Sequence, residues 1–121
     1  MEGENFDRMV FAEGSTESSR KEHLDRVLLT RLDRAVRVNR LSNEQKAKLH
    51  LAGVGDVKRF LDRAEAKRAE FEAVRKNFAE ATRSLQQAES LAAEYRRGPF
   101  GDDSLFAKTL RTIRDGEAAK R

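Results

Sequence analysis

The chain of 121 residues has no cysteine, no tryptophan, one proline and one tyrosine. Without cysteine there is no disulfide, no thiolate nucleophile and no cysteine-based zinc site. The compartment stays open, because a cysteine-free helical protein suits an oxidising or a reducing one. No run of about 18 apolar residues occurs, so no segment reads as a membrane span. Met1 to Val10 holds Glu2, Glu4 and Asp7 and lacks the basic start and apolar stretch of a signal peptide. That points to the cytoplasm if Met1 is the native start, or else to a mature exported segment whose signal has been replaced by Met1.

Apolar and charged residues each make up 38% of the chain. Rich in Ala, Leu, Glu, Lys and Arg, this mix favours helices over sheets. The length suits one domain with a modest core. The net charge of +4 is uneven. Residues 1–19 hold five acids and one base, whereas 20–40 hold seven bases and three acids.

The strongest pattern is a heptad. Positions a read Val57, Ala64, Phe71, Phe78, Leu85 and Ala92, and positions d read Phe60, Lys67, Val74, Ala81, Ala88 and Tyr95. No Pro or Gly lies between Val57 and Arg97. The pattern predicts one helix over about 57–97, roughly 60 Å long, with a seam that must meet other helices. The expected fold is all-α: a small helical bundle or hairpin built on that helix, with shorter flanking helices.

Phe6, Met9, Val10 and Phe11 form an apolar cluster that reads as a docking segment within residues 1–14. The helical domain follows over 15–116, and 117–121 reads as a frayed tail. Ser19 with Glu22 fits a capping box, although Ser15 or Thr16 also suits the helix start. Leu24, Val27, Leu28, Leu32, Ala35 and Val36 share one stripe of this first helix, which runs to about Val38. Asn39-Arg40 is a joint, and Ser42 with Gln45 starts the next helix. Gly53 suits a helix stop and Asp56 the cap of the long helix. A helix continuous through Gly53 and Gly55 would cost roughly 2 kcal/mol. Gly98-Pro99-Phe100-Gly101 is a stop, Asp102, Asp103 or Ser104 caps the last helix, and Gly116 ends it.

The chemistry-bearing residues are sparse. His23 and His50 lie 27 residues apart with no carboxylate pattern to complete a metal site. The acids alternate with bases at helical spacing, as in Glu65-Lys67-Arg68-Glu70-Glu72, and read as a solvated, ion-paired face. No serine sits in a nucleophile elbow, and Gly53-Val54-Gly55 is too short for a dinucleotide loop. The reading is a protein that is not an enzyme, with no cofactor and no metal. Arg31 and Lys67 place cations inside apolar stripes. Either their stems pack while the charges reach water, or each pairs with a carboxylate across an interface.

Two surfaces are candidate sites. Arg26, Arg34, Arg37 and Arg40 form a basic stripe on the first helix, suited to phosphates or simply solvated. Phe6, Met9, Phe11, Phe100 and Phe106, with Arg96 and Arg97, form a candidate partner-binding set, unless the aromatics only close the ends of the bundle.

Leu41-Ser42-Asn43-Glu44-Gln45 resembles the L-T-x-x-Q element of periplasmic stress proteins of the Spy and CpxP type, with Ser in place of Thr. That resemblance implies a small helical, often dimeric protein, and for the Spy type an ATP-independent chaperone. A broader set is similar to an uncharacterised helical family of planctomycete bacteria: Phe6-Asp7-Arg8; Leu49, Leu51-Ala52-Gly53 and Gly55-Asp56-Val57-Lys58-Arg59-Phe60; Phe100-Gly101 and Ser104-Leu105-Phe106-Ala107-Lys108-Thr109-Leu110. It implies an exported helical protein and brings no activity. The sequence therefore predicts a scaffold that binds partner or unfolded polypeptides and forms an antiparallel homodimer along 57–97. Nucleic-acid binding through the first helix and a purely structural dimerisation module are the alternatives.

Overall fold

The computed structural model describes residues 6, 7, 9–11 and 16–119. They form four helices and no strand: α1 (Glu17–Asn39), α2 (Asn43–Val74), α3 (Phe78–Arg97) and α4 (Leu105–Ala119). The expected all-α bundle is present. Gly14 and Ser15 of the Gly14–Ser19 break, part of the 1–14 docking segment and residues 120 and 121 of the tail lie outside the described residues.

Local chemistry accounts for the helix starts. Thr16 caps α1: its hydroxyl accepts from Ser19 N and the Ser19 hydroxyl accepts from Thr16 N, at 3.1 and 2.8 Å. The capping box thus starts at Thr16, one of the alternative starts, three residues before Ser19 with Glu22. Ser42 and Gln45 make the expected reciprocal pair at the head of α2, at 2.9 and 3.1 Å. Between them the chain turns at Arg40, which takes the left-handed conformation (φ 53°) and donates its N–H to Val36 O.

Two expectations about the long helix are corrected. Helix α2 does not stop at Gly53; it runs 32 residues from Asn43 to Val74. Nor does one helix span 57–97, because the chain breaks at residues 75–77 and returns as α3. Asn77 supplies the cap, its side-chain oxygen accepting from Glu80 N at 3.2 Å. The heptad seam is therefore folded onto itself. Val57, Phe60, Ala64 and Phe71 on the outgoing arm and Ala88, Ala92 and Tyr95 on the returning arm are all buried. Arg63 holds Glu94 through both guanidinium nitrogens, pinning the two arms together. The antiparallel partner that the seam requires is the chain's own second arm, which is gained without the entropy cost of association. A third correction is that Gly116 does not end α4, which continues through Ala119.

Helix α2 is the hub, with α1, α3 and α4 each packed on it. At its crossing with α1, a Cβ on Gly53 would drive into the side chain of Leu28, itself buried. Gly53 thus serves close helix approach rather than helix termination. The N-terminal segment closes the other side. Phe6 stacks on Phe71 at 5.8 Å, and Phe11 meets Tyr95 edge-on at 4.9 Å. Asp7 lies 3.8 Å from Arg20 and 3.3 Å from Arg68, tying the segment to α1 and α2. One contiguous core results, from Phe6 through Leu24, Leu28, Leu49 and Phe60 to Phe106.

Asp56 is the main polar residue of that core. It does not cap its own helix, as the sequence suggested. Its Oδ1 accepts from Leu105 N at 2.9 Å and its Oδ2 from Phe106 N at 2.8 Å. Ser104 Oγ accepts from Ala107 N at 3.0 Å, and Ser104 N donates to Gly101 O. All four free N–H groups at the head of α4 are thereby satisfied, two of them by a carboxylate from another helix. Arg59 pairs with the same carboxylate at 3.0 Å.

Candidate functional site

Because α1 and α4 pack on α2 more than on each other, a groove opens between them. Its volume is about 660 Å³. Val27, Ala35, Val38, Phe106 and Leu110 supply its apolar lining, and Arg26, Arg31, Arg34 and Arg97 its charged rim. His23, Thr30 and Asn39 complete it, and among the described residues no carboxylate contributes to the lining.

The rim is partly organised by the end of α3. The last turn of a helix carries carbonyls without partners and partial negative charge. His23 Nε2 lies 2.9 Å from Tyr95 O, and Arg31 Nη2 donates to Arg97 O at 3.2 Å. A carbonyl only accepts, so this contact selects the imidazole tautomer with its proton on Nε2. The His23 ring also packs on Tyr95 at 4.5 Å. Arg97 turns its Nε back to Ala93 O at 3.4 Å. Gly98 then takes φ 87°, where a Cβ would lie 2.6 Å from both Val27 and Phe100. Only glycine lets the chain leave α3 this close to α1. Burial pushes the Tyr95 phenol above its ordinary value, against a downward pull from Arg20 and Arg26.

The candidates distribute as follows. Arg26 and Arg34 of the basic stripe and Arg97 and Phe106 of the partner set meet in this groove. Arg37 and Arg40 are exposed near the end of α1 and do not line it, and Arg96 is exposed outside it. Phe100 is buried against Phe106 at 5.6 Å. Phe6 and Phe11 are core residues on another side, and of that cluster only Met9 is substantially exposed. Arg31 reaches a backbone carbonyl rather than a carboxylate. Lys67 pairs with Glu70 on its own helix at 3.2 Å, not across an interface.

The sequence candidates include neither Val27, Ala35, Val38 and Leu110 of the apolar lining nor His23, Thr30, Arg31 and Asn39. Val38 is 72% exposed on a helix whose other apolar residues are mostly inside, a pattern that needs the crossing of α1 and α2 to be seen. Two other hollows are less selective. One, near 460 Å³ between α1 and α2, carries Lys21 and Lys58 against Asp25 and Asp62. The other, beside the head of α4, contains the pairs Arg59–Asp56 and Arg63–Glu94, whose charges already offset one another.

No known protein family, no curated protein and no solved structure matches this chain. The resemblances to the planctomycete family and to the Spy and CpxP type rest on the residues quoted for them. No described helix is long and apolar enough to cross a membrane.

Proposed function

We propose that the protein is a non-enzymatic binding scaffold whose α1–α4 groove takes an acidic, partly apolar polypeptide segment. The observation that carries this reading is the lining itself: four guanidinium side chains around an apolar floor and, among the described residues, no carboxylate. Apolar side chains of the segment would enter between Val27 and Leu110, and its carboxylates would meet Arg26, Arg34 and Arg97 in the paired geometry arginine favours. A groove that recognises charge pattern and apolar content, rather than a fixed sequence, suits unfolded or partner chains. ATP-independent chaperone-like action, as the Spy-type resemblance implies, is one form of this reading. A homodimer through the second half of the chain belongs to the same proposal.

The test is binding of a labelled acidic amphipathic peptide, read by fluorescence anisotropy, with a basic peptide of equal length as control. Substituting Arg26→Glu together with Arg34→Glu, both exposed, should weaken binding about tenfold or more with helical content unchanged. Peptide binding should weaken but persist as salt rises, because its charged part is screened and its apolar part is not. Absence of peptide binding would sink the proposal. Micromolar binding to duplex DNA at physiological salt, lost steeply as salt rises, would replace it with the nucleic-acid reading.

A further inference from the structure

We infer that the hairpin formed by α2 and α3 is a hinged arm that opens to form an exchanged dimer with a second copy of this chain. In that dimer residues 43–97 form one continuous helix in each copy. The inference gives form to the proposed homodimer and is independent of what the groove binds.

Four observations lead to it. The hinge of residues 75–77 contains neither Gly nor Pro. Arg75 is already helical at φ −57°, ψ −26°, and Asn77 at φ −99°, ψ 108° is where the chain leaves the helix. The heptad register passes through the hinge without a slip, since Phe71, Phe78 and Leu85 hold the same position in successive heptads. A tight turn had no need to preserve that register. Finally Phe78, in a core position of the pattern, is 86% exposed at the hairpin tip, the most exposed large apolar side chain among the described residues.

The geometry explains why Phe78 has no partner in the closed form and would have one in the open form. Arg63 faces Glu94 and Phe60 faces Tyr95 across the hairpin. Residue 78 lies midway in sequence between the members of each pair, to within one position. In the closed hairpin that midpoint is the tip, where no arm lies opposite. Two opened chains in the same register place it on the two-fold axis, so that Phe78 of one copy meets Phe78 of the second copy. Every other contact of the α2–α3 interface is kept but becomes intermolecular, including the Arg63–Glu94 pair. The interface is therefore continuous with one the chain already makes, and it adds an aromatic pair that the closed form lacks.

Exchange also alters the groove. Helices α3 and α4 travel together with the arm, so Arg97, Phe106 and Leu110 of one copy would complete the groove begun by His23, Arg26 and Arg34 of the other. Each site would then be built by both chains.

The test uses the absence of native cysteine. One chain carries Arg63→Cys and a second carries Glu94→Cys. They are unfolded together, refolded at high concentration and treated with a short bifunctional thiol cross-linker. Exchange predicts a covalent heterodimer joined through positions 63 and 94 within the size-exclusion dimer fraction. A dimer without that link overturns the exchange and leaves the homodimer proposal standing. A monomer alone, under all refolding conditions, overturns both. Two hinge variants supply a second readout. Asn77→Ala removes the cap and favours continued helix, while Asn77→Gly keeps the turn and weakens the helix. The dimerisation constants of the two should differ by at least about tenfold, with Ala the tighter. Equal constants, or Gly the tighter, would overturn the hinge mechanism.

Discussion

Helix α2 and its continuation pass two places where a break was possible, and the outcomes are opposite. At residues 53–56 two glycines in three positions leave the helix unbroken. At residues 75–77 the chain turns back with no glycine and no proline. The first site is buried on one side by α1, where Leu28 occupies the space above Gly53, and tied on another by the Asp56 bonds to α4. Among the described residues the second has no helix across it, and residues 75–80 are all exposed. Helix propensity is worth at most about 1 kcal/mol per residue, and contacts of the first kind exceed it easily. Tertiary contact holds the helix through its two glycines, and where that contact is missing the local cap at Asn77 is enough to turn the chain.

The largest effect is expected from removing the tie. Asp56→Ala leaves two N–H groups at the head of α4 and the Arg59 guanidinium without their carboxylate. A loss of about 3 kcal/mol follows, measured as a shift of the denaturation midpoint with the slope unchanged. A loss below about 1 kcal/mol would mean that the cap, and with it the rigidity assigned to residues 53–56, is incidental.

The glycines sharpen the same comparison. In Gly53→Ala the added methyl strikes buried Leu28, and the overpacking outweighs the gain in helix propensity, for a net loss of about 1–2 kcal/mol. In Gly55→Ala the methyl lands 3.6 Å from Leu105 Cδ1, an ordinary contact, so the variant should gain about 0.5–1 kcal/mol. Opposite signs two residues apart are the expected result of chemical denaturation. Equal signs would contradict the close crossing of α1 and α2.

Tyr95 probes the returning arm through pH. Its phenol titrates higher in the folded protein than in the unfolded chain, because burial opposes the phenolate. The stability it contributes is whole below the unfolded value, about pH 10, and is lost as pH rises through the folded value. The thermal midpoint should therefore fall above about pH 10, and Tyr95→Phe should remove that part of the fall. As the only tyrosine, in a chain without tryptophan, its phenolate absorbance reports the titration directly. The smallest effect belongs to the tip. Phe78→Ser should change the stability of the closed monomer by less than about 0.5 kcal/mol, because the ring is exposed there.

The caps and turns at Ser42, Ser104 and Gly98, and the apolar stripes, were readable from the sequence because each depends on a few neighbouring residues. The heptad named most of the buried seam residues correctly, yet implied one helix where there are two. Periodicity records which residues face a partner, not whether the partner is another chain or the same chain returning. Asp56 was assigned as a cap correctly in kind but to the wrong helix, since its acceptors serve N–H groups about 50 residues away. The groove was legible only as fragments. Arg26 and Arg34 belonged to one surface and Arg97 and Phe106 to another until the fold brought α1 against the end of α3. Arg31 reads from the sequence as a cation in an apolar stripe, but the backbone carbonyl it meets has no signature in side-chain sequence.

The dependence of α4 on Asp56 also orders events in time. The last helix has 15 residues, near the limit below which isolated helices are marginal in water. Its starting amides are held by a side chain that is in place only once α2 has formed. Formation of α4 is therefore expected to follow that of α2, whose Asp56 supplies its cap. The same order run backwards makes α4 the first helix to exchange its amide protons.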